Sequence, residues 1–422
     1  MPIDPAKLAE LARNDRELNL KLGWLDARIR IGALDVTIAS GQVITVEPAS
    51  GDADLVIAAP DAFWEETLQP QPRYLAATLN LGSMLGVTME GDVARFVAPY
   101  FGAWERLLQL MRETLHGQPP AIPRAPDRRE TDDAVGRYAY VRNGEAEARI
   151  FYEEAGQGDI VLLLHATAGA DARQWRHMLS YPALRERFRM IAYDAPCHGR
   201  SLPPLGGAWW EQGYHPTRDE LMGWATGLVE TLGLDRPIFL GCSVGGQLAI
   251  DLAAFRPEYF RAFVALNGWS SPSPWMLSAS NDIYRDPAIS PQYYIGRVLS
   301  STTVVAPLDR RHETAFIYAS NAHGIYAGDN DHFVNAHDLT KDGWRIDTSR
   351  TPLFAVAGED DVSTLDPDHG SAAIPKHVAG AHYRLLPGLG HFAPCEDPER
   401  FCELITPVLD EVLAACAAVE KA

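Results

Sequence analysis

The stretch Pro237-Ile-Phe-Leu-Gly-Cys-Ser-Val-Gly-Gly246 places a glycine-flanked serine between a short apolar run and a helical pattern. Leu248 and Leu252 recur at helical spacing after it, so the predicted order is strand, tight turn and helix. The pattern G-x-S-x-G at Gly241–Gly245 lets a serine occupy a strained turn with its hydroxyl exposed above a sheet. Ser243 is therefore the candidate nucleophile.

Composition limits the partners that the chain can bind. Its 422 residues carry a formal net charge of −19, which repels nucleic-acid phosphates and anionic membranes. We expect a small, uncharged or weakly charged substrate and neither a nucleic-acid nor a membrane partner. The five cysteines have no metal-ligand spacing and are odd in number, which favours free thiols in a reducing compartment. Residues 1–7 lack the pattern of a leader, so we expect a cytoplasmic protein.

Residues 1–118 predict a small α+β domain. Short alternating or apolar runs separated by glycines indicate strands, the first three in an antiparallel meander. The predicted strands cover Trp24–Ile31, Val36–Ile38, Val43–Val46 and Asp54–Ile57. One predicted helix begins at Pro60, and a second covers Val93–Met111.

Two segments of this domain, Gly51-Asp-Ala-Asp-Leu-Val-Ile57 and Val87-Thr-Met-Glu-Gly-Asp92, flank a predicted helix. This order resembles the sterol-carrier-protein-2-like domain, and the resemblance implies an apolar cleft that holds lipid in relatives. Alternatively, the apolar residues form the domain's own core or a homodimer face, since exposed apolar stripes mark association. We predict that the domain assists by pairing subunits or by covering a pocket mouth.

Four prolines within Gly117–Pro126 favour extended backbone and end helices. They predict a linker over residues 119–127. Residues 128–422 then alternate apolar strands with helical patterns, which is typical of an α/β domain with a mostly parallel sheet.

Three further segments of residues 128–422 carry a family resemblance. Asp194-Ala-Pro-Cys-His-Gly-Arg-Ser201 and Pro387–Phe401, which contains Gly390-His-Phe392, resemble motifs of α/β-hydrolases, although Cys197 stands where the family has glycine. The loop His165–Asp171 follows a buried strand, as the oxyanion loop does in that family. The resemblance implies an α/β-hydrolase fold with a helical cap, preceded by the small α+β domain.

Residues from about 268 to 346 lose the regular alternation and are rich in aromatic side chains. An insertion at this place resembles the cap that roofs the pocket of α/β-hydrolases. The alternative is an ordinary packed subdomain that uses its aromatic residues as core.

Ser243, Asp361 and His391 occur in the chain order of an α/β-hydrolase triad, each after a predicted strand. The family commonly carries its acid as G-x-x-D, which selects Asp361 over Glu359 and Asp360. The alternative acid position, after the preceding strand, holds Asn267, which cannot serve as the acid.

The resemblance also implies an oxyanion hole built from backbone N–H groups. Val244, which follows the nucleophile, is one donor. Thr167 is the preferred second donor and Ala166 its rival, because this loop has alanine where the family often has glycine. His165 and His198 are expected to support loops rather than to act in catalysis.

These residues predict a serine hydrolase that cleaves a small, largely apolar carboxylic ester or lactone through an acyl-enzyme, with no metal or cofactor. One alternative is a carbon–carbon bond hydrolase of meta-cleavage-type diketones, whose glycine-rich oxyanion loop this chain does not reproduce. Another is a non-catalytic lipid-binding or scaffold protein, against which the complete triad argues. A haloalkane dehalogenase is disfavoured because a serine replaces its aspartate nucleophile.

Overall fold

The computed structural model describes residues 3–119, 131–274, 282–335, 337–361 and 366–421. The predicted linker lies almost wholly outside the described residues, as does the part of the predicted cap around Trp275. The chain divides into two compact units. The first combines described residues of Met1–Pro126 with Asp286–Val304, and the second combines those of Asp127–Arg285 with Val305–Ala422.

The strands are β1 (Ala27–Ile31), β2 (Leu34–Ala39), β3 (Gln42–Pro48), β4 (Leu55–Ala58), β5 (Thr88–Gly91), β6 (Val135–Asn143), β7 (Ala146–Ala155), β8 (Ile160–His165), β9 (Phe188–Tyr193), β10 (Ile238–Cys242), β11 (Ala262–Leu266), β12 (Leu353–Asp360) and β13 (His382–Gly390). The α-helices are α1 (Pro5–Asn14), α2 (Arg16–Leu22), α3 (Asp61–Thr67), α4 (Leu79–Gly82), α5 (Phe101–His116), α6 (Arg176–Leu179), α7 (Pro182–Arg185), α8 (Trp209–Gln212), α9 (Arg218–Thr231), α10 (Val244–Phe255), α11 (Gln292–Ser300), α12 (Leu308–Ala319), α13 (Ile325–Asn335), α14 (Leu339–Asp342), α15 (Ile374–His377), α16 (Ala393–Glu396) and α17 (Pro398–Lys421). Within the described ranges, no helix is both long enough and apolar enough to cross a lipid bilayer.

The first unit contains a five-stranded sheet in the order β3-β2-β1-β4-β5. The predicted antiparallel meander of β1 to β3 is confirmed, and β4 joins β1 in parallel. The single helix predicted over Val93–Met111 is wrong. A π-helical turn, Val93–Val97, precedes α5, and Tyr100 leaves helical geometry at φ −116° and ψ 11°. The Trp104 indole N–H donates to the Phe96 carbonyl at 2.9 Å, which stabilises this break.

The segment Asp286–Val304 belongs to the first unit, whereas the sequence predicts one continuous cap over residues 268 to 346. Its helix α11 packs on α5, where the ring of Tyr293 meets that of Phe101 edge-on at 5.4 Å. The Arg297 Nε donates to Asn80 Oδ1 at 2.7 Å. A sequence shows that a helix has an apolar face but does not show which of two cores will cover it.

The second unit is built on an eight-stranded sheet in the order β13-β12-β11-β10-β8-β9-β7-β6. Strands β8 to β13 pair in parallel, whereas β7 joins β9 and β6 antiparallel at one edge. The mostly parallel sheet that the sequence predicts is confirmed.

Apolar residues on both faces explain why these strands lie in the middle of the unit. Side chains alternate across a strand, and along β10 Phe239 enters one core with helices α9 and α10. Its neighbours Ile238 and Leu240 enter a second core with helix α17 on the other face. Burial on both faces requires the continuous apolar runs that parallel strands show, and it fixes the ends of β8 and β10 side by side.

Candidate active site

Ser243 lies in a sharp turn between β10 and α10. Its backbone has φ 58° and ψ −114°, a conformation that costs a non-glycine residue about 1–3 kcal/mol. A Cβ at Gly241 would lie 2.0 Å from the Gly245 carbonyl oxygen. A Cβ at Gly245 would lie 2.8 Å and 2.9 Å from the carbonyl oxygens of His165 and Ala166. Both glycines of the motif are therefore needed for the turn to close.

The structure brings the three predicted catalytic side chains together. His391 Nε2 lies 2.9 Å from Ser243 Oγ, and His391 Nδ1 lies 2.9 Å from Asp361 Oδ1. With the proton on Nδ1, His391 donates to the carboxylate and accepts from the serine hydroxyl. Asp361 is fully buried, so its charge acts on the imidazole with little screening by water.

The pKa of His391 lies above its ordinary value because two opposing effects do not cancel. Burial disfavours the imidazolium and lowers the pKa. The charge of Asp361 and its hydrogen bond favour the imidazolium and raise the pKa by more. The site therefore stabilises the imidazolium form of His391.

The two acidic neighbours of Asp361 have other contacts. Glu359 Oε2 accepts the Gly388 N–H at 2.9 Å, and Asp360 pairs with Gly390 in the register of β12 and β13. Of the three acids considered from the sequence, Asp361 is the one whose carboxylate reaches His391.

Two buried polar residues hold the histidine loop, a role that is not predicted from the sequence for either of them. Asn267 Nδ2 donates to the His391 carbonyl at 2.9 Å, while its Oδ1 accepts the Gly358 N–H at 2.8 Å. Glu396 Oε1 accepts the Gly390 N–H at 2.6 Å. Asn267 thus connects the strand ends that carry the acid and the base. Glu396 is the glutamate of the G-H-F-x-x-x-E segment, so the sequence motif could have indicated its role.

The oxyanion loop differs from the sequence expectation in one respect. Val244 is the first residue of α10, and the N–H groups of a first helical turn have no intrahelical acceptor. The Thr167 N–H, however, donates to the side-chain Oε1 of Gln174 at 2.8 Å. The Thr167 hydroxyl forms a hydrogen bond with the hydroxyl of Tyr318, on α12. The rival residue, Ala166, is buried and turns its carbonyl towards Gly245.

The two conspicuous histidines outside the triad support loops. His165 Nδ1 lies 2.7 Å from the Tyr193 hydroxyl, and burial lowers the pKa of His165 to about 4. His198 Nε2 lies 2.8 Å from the carboxylate of Asp329, which also accepts the Gly169 N–H at 2.7 Å. Burial lowers the pKa of His198, but the charge of Asp329 offsets this and leaves the pKa raised. Helix α13 thereby fixes the oxyanion loop through Asp329.

An apolar wall lies beside Ser243. It joins residues of the oxyanion loop, the elbow, the segment after β11 and helix α13, namely Ala168, Val244, Trp269, Tyr326 and Val334. A substrate group in contact with this wall gains most by being apolar. Among the residues that the structure describes, no group of three or more histidine, cysteine, aspartate or glutamate side chains is placed to hold a metal ion.

The family comparison agrees with this geometry. A family model described as the alpha/beta hydrolase fold matches residues 159–303, which include the oxyanion loop and the elbow. The second unit has the α/β-hydrolase fold. A thermophilic esterase from Thermogutta terrifontis is 19% identical to the hydrolase, with a TM-score of 0.56 over 66% of this chain and 99% of the esterase.

Two further relatives show the range of proteins that this hydrolase resembles. The enol-lactonase from Burkholderia xenovorans LB400 is 21% identical, with a TM-score of 0.54 over 65% of this chain and 100% of the lactonase. A 2-hydroxy-6-oxononadienedioate/2-hydroxy-6-oxononatrienedioate hydrolase from Cupriavidus pinatubonensis is 24% identical over 66% of this chain and 96% of its own length. Structural likeness at this level of identity establishes the fold, and the reaction has to be argued from the site.

Proposed function

We propose that the hydrolase cleaves a small, largely apolar carboxylic ester or lactone through an acyl-enzyme on Ser243. The observation that carries the proposal is the unbroken hydrogen-bonded chain from buried Asp361 through His391 to the strained Ser243. A serine hydroxyl is a weak nucleophile without an adjacent base, and this arrangement supplies that base.

Each member of the chain has a defined part in the reaction. Ser243 Oγ attacks the carbonyl carbon while His391 Nε2 takes its proton, and His391 then returns the proton to the leaving oxygen. Water then attacks the acyl-enzyme while His391 takes its proton, and His391 returns that proton to Ser243 Oγ as the acyl group leaves. Asp361 keeps the imidazole in the required tautomer and stabilises its cation, and the Val244 N–H binds the developing oxyanion. Removal of one oxyanion donor costs about 10² to 10³ in kcat in comparable sites.

Two features favour a neutral, apolar ester or lactone. The wall beside the nucleophile is apolar, and the net charge of −19 disfavours the approach of an anion. The structural likeness to an esterase and to an enol-lactonase supports the same class of bond.

Hydrolysis of a carbon–carbon bond is the second candidate. The relative from Cupriavidus pinatubonensis, whose name specifies a dioate substrate, favours it. A dioate carries two carboxylates, and both the net charge and the apolar wall oppose such a substrate. A non-catalytic lipid-binding or scaffold role would leave the strained elbow and the buried acid without a purpose.

A parallel substrate panel tests this choice. Purified protein is assayed with short-chain p-nitrophenyl esters, aliphatic lactones and a ring-cleavage dienoate under the same conditions. We expect the highest kcat/KM with an uncharged ester or lactone. A kcat/KM for the dienoate well above those of all esters and lactones would select the carbon–carbon hydrolase instead.

We also propose that the first unit is sterol-carrier-protein-2-like and pairs two chains. Leu20 and Trp24, four residues apart, are 83% and 90% exposed, and exposed apolar groups of this size mark association surfaces. We further propose a cytoplasmic location, since all five cysteines carry free thiols and a reducing compartment keeps them so.

Light scattering on the full chain tests the pairing. We expect a dimer, and we expect Trp24→Glu to convert it to a monomer because the new charge would be buried at the interface. Trp344→Glu is the matched control, because Trp344 is an exposed tryptophan of the hydrolase unit and should leave the dimer intact. A monomeric wild-type chain would remove the basis for pairing.

A further inference from the structure

We propose that the second oxyanion donor of this hydrolase is the side-chain hydroxyl of Thr167, oriented by the hydroxyl of Tyr318, rather than the Thr167 backbone N–H. This inference rests on the proposed acyl-enzyme function. It makes Thr167 a catalytic residue through its side chain and Tyr318 a positioning residue.

The backbone N–H of Thr167 already has an acceptor. The Thr167 N–H has one proton, and that proton is directed at Gln174 Oε1 at 2.8 Å. Gln174 is 1% exposed. An oxyanion that accepted this N–H would leave the buried amide oxygen of Gln174 without a donor. A buried acceptor left unsatisfied in this way costs its full desolvation free energy.

The oxyanion loop that carries Thr167 packs against the elbow that carries Ser243. Strands β8 and β10 are parallel neighbours, and their last register pair is His165 with Gly241. Thr167 and Ser243 each follow this pair by two residues. The contact that a Cβ at Gly245 would make with the Ala166 carbonyl shows that the loop stays against the elbow beyond the end of the strand.

The hydroxyls of Thr167 and Tyr318 share one hydrogen bond, which leaves one of their two protons to donate elsewhere. When the Tyr318 hydroxyl donates to Thr167 Oγ1, the proton of Thr167 remains available to an oxygen that develops charge above Ser243. Burial raises the pKa of Tyr318 well above its ordinary value, so the phenol stays a donor at neutral pH. The ring of Tyr318 meets that of Phe392 edge-on at 5.6 Å, and Phe392 packs at 4.9 Å against His391. These contacts hold the pair beside the base.

Four variants of the full chain test the proposal with a good p-nitrophenyl ester. Thr167→Val removes the hydroxyl at nearly constant shape, Thr167→Ser keeps it, and Tyr318→Phe removes its orienting partner. Thr314→Val is the matched control, because Thr314 is a buried hydroxyl on the same helix that bonds to Arg310 and Cys395 instead. The readouts are kcat, KM, thermal unfolding, and the affinity for a trifluoromethyl ketone, which forms a tetrahedral oxyanion adduct with a reactive serine.

The proposal predicts that Thr167→Val lowers kcat about 10²-fold with little change in KM and weakens ketone binding by the same factor. Tyr318→Phe should lower kcat about tenfold. Thr167→Ser, which keeps the hydroxyl, should recover most of the kcat that Thr167→Val loses, whereas Thr314→Val should stay near wild type. If Thr167→Val does not fold, the comparison of Tyr318→Phe with Thr314→Val decides in its place, and equal kcat values in those two variants would overturn the proposal.

Two failures can be told apart. Wild-type kcat and ketone affinity in Thr167→Val, with an acyl-enzyme still formed on Ser243, would overturn the hydroxyl donor alone and return the role to a backbone N–H. A wild-type enzyme that forms no acyl-enzyme with any ester and does not bind the ketone would overturn the proposed function, and the donor assignment with it.

Discussion

Replacement of Ser243 by alanine is expected to lower kcat by about 10⁶-fold, because loss of the nucleophile from a triad removes nearly all of the catalysis that the triad supplies. The fold should survive, since the change removes one oxygen atom from a turn that Gly241 and Gly245 allow to close. The measurement is ester turnover by freshly purified variant, together with its circular dichroism spectrum and thermal midpoint.

Ser201→Ala is the matched control for this variant. Ser201 is also a buried serine, but its hydroxyl accepts the Phe151 N–H at 2.8 Å and donates to the Asp194 carbonyl at 2.7 Å. We expect this variant to lose stability while keeping turnover per folded molecule. Turnover near the wild-type level in Ser243→Ala, retained after repurification, would rule out Ser243 as the nucleophile.

Asp361→Asn is expected to lower kcat by about 10⁴-fold, as the same change does in the serine protease template. The amide keeps the shape of the side chain but favours the wrong imidazole tautomer and carries no charge to balance the imidazolium. Asp360→Asn is the control, because Asp360 continues the strand register with Gly390. A larger loss in Asp360→Asn than in Asp361→Asn would contradict the assignment of the acid.

The pH profile gives a second test with the same variant. His391 must be neutral to accept a proton, so kcat/KM should rise with pH through the raised pKa of His391. Without the charge of Asp361, burial remains and lowers the pKa of His391, so the inflection of the residual activity should move to lower pH. An inflection that does not move would show that Asp361 is not the residue that raises this pKa.

The parts of the site that follow from local rules were predictable from the sequence. The elbow needs glycine at two places where a Cβ would collide with backbone. The two glycines of the motif therefore predict the strained turn at Ser243. Buried parallel strands need apolar residues on both faces, so β10 and β12 were visible as continuous runs. The acid and the base were assigned by the resemblance of Gly358–Asp361 and Pro387–Phe401 to motifs of α/β-hydrolases.

The parts that depend on contacts between distant segments were not predictable. Nothing local to Thr167 shows that its amide is taken by Gln174 or that its hydroxyl meets Tyr318, which is 151 residues away. The contact of Asp329 with His198 spans 131 residues. Pairings of this kind depend on how α12 and α13 pack, and that packing leaves no periodic signal in the chain.

Rapid-quench mass spectrometry of the wild-type enzyme mixed with a p-nitrophenyl ester tests for the acyl-enzyme directly. The proposed mechanism predicts a burst of one p-nitrophenol per active site and an acyl group on the peptide that contains Ser243, located on the serine itself. Hydrolysis without a burst and without an adduct, or an acyl group that accumulates on a different residue such as Cys242, would contradict it.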